Sequence, residues 1–108
     1  MTTGSPQVPN ELDAARAIRR ALAAQGLKAR DVGLIAVWVT GALARERAEL
    51  AVAMGLGRFA DGVVTVFDEP DPFARCAAAI DAGEAQVAVA LVIDPVAGNR
   101  AQAFGQSR

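Results

Sequence analysis

The sequence predicts a three-layer α/β/α fold around a mostly parallel four-stranded sheet, in the chain order α-β-α-β-α-β-β. Two runs carry most of that reading. Val32–Val39 and Gln86–Ile93 are short, almost continuously apolar and bounded by turn signals, which fits strands buried on both faces. Before and between them lie segments with apolar residues at helical spacing, and strands that alternate with helices imply parallel pairing through right-handed crossovers. After the last run the chain turns through Asp94-Pro95 and Gly98-Asn99, so the final strand is expected to be antiparallel.

Met1–Asn10 has no basic-then-apolar pattern and reads as a flexible polar tail rather than a signal peptide. Residues 11–105 read as a single domain. Asn10 as N-cap with Asp13 three residues later resembles a capping box. Leu12, Ala15, Ile18 and Leu22 then recur at helical spacing, predicting a helix over Glu11–Gln25 with Gly26 as its C′ residue. Arg16, Arg19 and Arg20 fall on its other faces. Lys28–Arg30 connects to the first strand, and Thr40-Gly41 turns the chain into a second helix over Leu43–Met54. There Leu43, Leu50, Ala51 and Met54 are expected inward and Arg45, Glu46, Arg47 and Glu49 outward, Arg45 and Glu49 forming an i,i+4 pair worth roughly a few tenths of a kcal/mol. Gly55 and Gly57 end that helix, and Phe59–Gly62 is a loop. Val63–Phe67 is rich in β-branched residues and reads as the second strand. Asp71 followed by Pro72 starts the third helix, with Phe73, Cys76, Ala77 and Ile80 on one face and Gly83 at its end. Ala101–Phe104 supplies the last strand.

Composition narrows the function classes. With 108 residues, one small core is the expectation. A net charge of -1 gives no electrostatic case for nucleic acid or an anionic membrane surface. No apolar run is long enough to span a bilayer. The single cysteine allows no internal disulfide, which suits a reducing cytoplasm. Histidine is absent, which removes the commonest general base and a favoured metal ligand.

The stretch ALAAQGLKARDVGLIAVWVTGALARERAEL resembles the opening of the C-terminal half of the β-ketoacyl synthases, in the thiolase superfamily. Their pattern is a helix ending in "AGL", then "DVD", a strand, "HGTGT" and a helix beginning "D-x-x-E-A". Gly26-Leu27, Asp31-Val32, Thr40-Gly41 and Glu49 fall at matching spacing. The chain-length factors, ketosynthase-like partners in type II polyketide synthases, are closer still, with a glycine at the position of Gly41 and an "R-A-E" run at Arg47-Ala48-Glu49. The block "S-x-K-x-x-x-G-H-x-x-G-A-A-G" falls on VTVFDEPDPFARCAAA, and "F-G-x-G-G-x-N" falls loosely on AVALVIDPVAGNRAQAF, with Gly98-Asn99 as its remnant. The resemblance runs from about Ala14 to Phe104 and implies a thiolase-like half-domain.

The departures shape the functional expectation. Ketosynthases take a cysteine nucleophile from their other half, which has no counterpart in these residues. Of their two histidines, the first falls on Trp38 and the second on Phe73, and the lysine of the second block falls on Asp68. Indole N–H donates a hydrogen bond but cannot cycle a proton at neutral pH, and a phenyl ring does neither. The resemblance therefore implies a catalytically silent, chain-length-factor-like partner in polyketide or fatty-acid assembly, without a cofactor. Its partners would be a second copy, a ketosynthase, or an acyl carrier protein whose acidic helices suit Arg16, Arg19 and Arg20. The same arginines also fit the wet face of a helix.

Trp38, Phe59 and Phe73 are candidate interface aromatics, with Thr40 and Gly41 at the carboxyl end of the first strand, where open sheets place function. Trp38 also fits the wall of an acyl-chain pocket. Cys76 reads as a small buried hydrophobe, with no base beside it. Asp68, Glu69 and Asp71 read as a solvated loop and an N-cap, being too few for a hard cation. Gly55-x-Gly57 follows a helix and cannot cradle phosphate. Two other classes remain open: a small α/β regulatory or ligand-binding module that shares only fold grammar with ketosynthases, and an enzyme using Cys76 or the acidic loop.

Overall fold

Two apolar strands pair at the centre of the sheet and the helices cover its two faces. The computed structural model describes residues 11–39, 45–94 and 98–105, of which 11, 12 and 45–47 as backbone only. Met1–Asn10, Thr40, Gly41, Leu43, Pro95 and the side chains of Leu12, Arg45, Glu46 and Arg47 lie outside the described residues, and the readings placed on them rest there. The described elements are α1 (Glu11–Ala24), a 3-10 turn (Ala29–Asp31), β1 (Val32–Val39), α2 (Arg45–Leu56), a 3-10 segment (Gly57–Gly62), β2 (Val64–Val66), α3 (Pro72–Asp81), β3 (Val87–Ile93) and β4 (Arg100–Gly105). The sheet order is β2-β1-β3-β4. β1 runs parallel to β2 and β3, while β4 is antiparallel to β3. The predicted class, order and antiparallel edge are what the chain adopts.

All seven residues of β3 are buried. Alternation sends Val89, Leu91 and Ile93 to one face, together with Ile35 and Val37 of β1, where Ile18 and Leu22 of α1 and Ala51, Val52 and Leu56 of α2 meet them. Leu34, Ala36, Ala88 and Ala90 point to the other face and pack against Cys76 and Ala79 of α3. The short side chains there let one helix lie close to the sheet. Gly33 is an extra residue in β1, where the register against β3 shifts between Val32 and Leu34. A Cβ at Gly33 would stand 3.2 Å from Ala85 Cβ, so glycine permits that approach.

Both α1 and α3 close as the glycines predicted. Leu27 N–H donates to Leu22 O and Gly26 N–H to Ala23 O, with Gly26 at φ 67. Glu84 N–H donates to Ala79 O and Gly83 N–H to Ile80 O, with Gly83 at φ 74. These are Schellman caps, which require a left-handed residue at C′.

Several local expectations are corrected. α1 ends at Ala24, and the Lys28–Arg30 connection leads into a 3-10 turn. β2 shrinks to three residues, and Phe59–Gly62 belongs to a 3-10 segment. Gly55 lies within α2 rather than ending it. A Cβ there would stand 3.0 Å from Ile18 Cδ1 and 3.4 Å from Ala15 O, so α2 meets α1 through Gly55, Ala48 and Ala51. That packing turns Leu50 and Met54 outward, 50% and 39% exposed, against the expectation. α2 is apolar on two sides, and the buried one joins Val52 and Leu56 to small residues that allow the closer approach to α1. Ala77 of α3 is likewise exposed, and the buried positions are Pro72, Cys76 and Ala79.

Candidate functional site

The carboxyl ends of β1 and β3 carry the arrangement most able to bind something. Leu34 and Ala36 face α3, so alternation along β1 puts Trp38 on that face too. Trp38 is opposite Val92 of β3, and Val92 is opposite Arg100 of β4. The three stand in one row across the sheet, and with neighbouring strands near 4.8 Å apart Trp38 and Arg100 are about 10 Å apart at the backbone. Phe73, in the first turn of α3, packs on the same face. The Arg100 guanidinium lies 5.8 Å from its ring centroid, within cation–π range. Trp38 and Phe73 are half-buried, Val92 is buried and Arg100 is exposed.

The site is therefore two aromatic side chains and one cation around a buried valine. Sequence reasoning found Trp38 and Phe73 and missed Arg100. The signal was present, because an antiparallel strand starting at residue 100 puts Arg100 and Phe104 on the α3 face by alternation. Phe59 is not part of this group. It sits in the 3-10 segment that leads into the start of β2, at the amino end of the sheet, with Arg58 stacked 5.1 Å from its ring. Arg16, Arg19 and Arg20 are exposed on α1, which covers the opposite face. Thr40 and Gly41 directly follow β1, outside the described residues.

The segment after β2 is shaped by its backbone. Asp68 adopts φ 59, the positive-φ residue other than glycine among those described. Glu69 N–H donates to Val37 O at 3.2 Å, tying this segment to β1. The Asp71 carboxylate accepts the Ala74 N–H at 3.1 Å, the N-cap its sequence predicted. Among the described residues no three His, Cys, Asp or Glu side chains gather to hold a metal. At the far end of α3, Arg75 pairs with Glu84 at 2.9 Å on the surface.

Cys76 is fully buried on the inner side of α3. Burial pushes its thiol from 9.0 up to about 11, partly offset by a backbone hydrogen bond with Ala36 and by the Arg75 charge. A thiol so placed is protonated at neutral pH and cannot reach a substrate. Asn99, the remnant of the third block, is tied to the first turn of α1, its Nδ2 donating to Asp13 Oδ2 at 2.9 Å. Its Oδ1 is buried with no partner among the described residues.

No protein-family model matches the chain, and no curated protein sequence does. Solved structures do match. A variant of OleA from Xanthomonas campestris, with lauric acid and lauroyl-CoA bound, is similar over 82% of this chain at 16% identity and a TM-score of 0.62. Germicidin synthase from Streptomyces coelicolor, a type III polyketide synthase, is similar over 82% at 17% identity and a TM-score of 0.61. The chain spans 28% of the length of each. At such identity the likeness establishes the fold, which is thiolase-like. No described helix is long and apolar enough to cross a membrane.

Proposed function

We propose that this protein is a non-catalytic, ketosynthase-like accessory subunit in polyketide or fatty-acid assembly, which binds its partner through the carboxyl edge of the sheet on the α3 side. The observation that carries the reading is the placement of Trp38 and Phe73 on one face of the sheet. The resemblance assigns these positions, 35 residues apart in the sequence, to the two histidines of one active site. In the fold both fall on the same face of the sheet, toward the same end. That placement supports the reading, since an indole and a phenyl ring can bind a partner but cannot transfer protons. Half-buried aromatics beside an exposed arginine are the anchors that protein interfaces favour. The partner is a second copy of the chain or a ketosynthase. A carrier protein, docking on Arg16, Arg19 and Arg20, would leave this edge free.

Trp38 is the sole tryptophan, so its emission reports on the site directly. Pairing predicts a blue shift of that emission as concentration rises or as a ketosynthase is added, in step with a rise in mass by light scattering. Titration with lauroyl-CoA separates the acyl-pocket reading. A saturable change in Trp38 emission with unchanged mass would replace the partner reading with a ligand-binding one.

A further inference from the structure

α1 and α3 both end at the amino edge of the sheet, and each returns through a short connection into one of the two adjacent central strands. Between these connections opens a cavity of about 460 Å³, a size typical of small-molecule sites. We propose that this cavity is a binding site for a small organic anion, a carboxylate or phosphate carried on an apolar body. It is separate from the Trp38 edge and independent of the function proposed there.

Its apolar wall is Leu27, Ile80, Ala85 and Val87. Leu27 and Ile80 remain only half-buried, and an occupant would cover the rest of them. Lys28 and Arg30 stand at the opening, exposed, with Asp31 and Gln86 beside them. Neither cationic side chain has an ion pair or hydrogen bond among the described residues. Helix C-termini normally disfavour an anion. Here the carbonyls of Leu22, Ala23, Ala79 and Ile80 already accept the capping N–H groups, and neither helix carries a basic residue in its last turn. Among the residues that line the cavity, Lys28 and Arg30 are thus the cations and Asp31 the one carboxylate, which leaves the lining with one positive charge in excess. The mouth is open beside Gly26 and Gly83, where a Cβ would meet nothing within 4 Å.

The test is titration with the fluorescent anion anilinonaphthalenesulfonate, whose aromatic body and sulfonate match the two halves of the site. Wild-type protein is expected to bind it saturably, with one site per chain. The variant Lys28→Gln/Arg30→Gln is expected to lose about tenfold or more in affinity, as charge-assisted hydrogen bonds are removed. The uncharged analogue phenylnaphthylamine should bind both proteins alike, and Arg58→Gln, an exposed cation that does not line the cavity, should bind the anion as wild type does. Octanoate and inorganic phosphate then compete with the dye. Displacement by octanoate supports a carboxylate on an apolar tail, and displacement by phosphate alone supports a phosphoryl group. No saturable binding by the wild type, equal affinity in the double variant, loss in Arg58→Gln instead, or displacement by neither competitor overturns the proposal. Unchanged thermal melting of each variant shows that lost binding is not lost folding.

Discussion

Cys76 shows how one buried atom becomes visible in solution. Its thiol has an ordinary value of 9.0 and is lifted to about 11 by burial. The folded state therefore holds the proton after the unfolded chain has released it. The resulting stabilisation is fully present below pH 9 and is lost as pH rises toward 11, on the order of 2–3 kcal/mol over that window. Wild type should lose this increment in denaturant titrations between those pH values, and Cys76→Ala should not. A thiol reagent should label Cys76 only after unfolding, and rapid labelling of native protein would contradict the burial. This residue was legible beforehand, because a lone cysteine on the inner side of a helix, without a base, is a small hydrophobe. Arg100 was not picked out, because its meaning depends on pairing across β3 and on a ring contributed by α3. A pattern read along the chain does not display either neighbour.

At the scale of elements, capping chemistry was the clearest signal and helix facing the weakest. Asp71, Gly26 and Gly83 each act locally, so their roles followed from their own neighbours in sequence. Asp71→Ala should lower stability by about 1 kcal/mol, measured by urea unfolding, because the Ala74 N–H loses its acceptor. The facing of α2 is a tertiary decision. Leu50 and Met54 stay outside the core, which Val52 and Leu56 fill beside Ala48, Ala51 and Gly55, the small residues that let α1 come close. Gly55→Leu should therefore cost about 1–3 kcal/mol by forcing Ile18 and α1 away. Gly62→Ala, at a position with open space and no positive φ, should be neutral or stabilising by about 0.4–1 kcal/mol. Equal effects at the two sites would mean that the α1–α2 contact is looser than described. The second strand contracted for a similar reason. Val64 is 61% exposed at an outer edge, so β-branched composition there is not accompanied by burial.

At the scale of the molecule, the two central strands fixed the class. Apolar runs of strand length need cover on both faces, and that demand leads to helices above and below a parallel pair. Bringing Trp38 and Phe73 together needed the fold, since only the sheet puts residues 38 and 73 on one face and at one end. The proposed contact at that edge is a property of two surfaces, of which one sequence supplies one. The most direct measurement is therefore the mass of the protein by size-exclusion chromatography with light scattering, from micromolar to submillimolar concentration, alone and mixed with a ketosynthase, for wild type and Trp38→Asp. The account predicts twice the chain mass, or co-elution with the ketosynthase, for wild type and a folded monomer for Trp38→Asp. A wild type that stays monomeric and elutes apart from the ketosynthase at every concentration would contradict it.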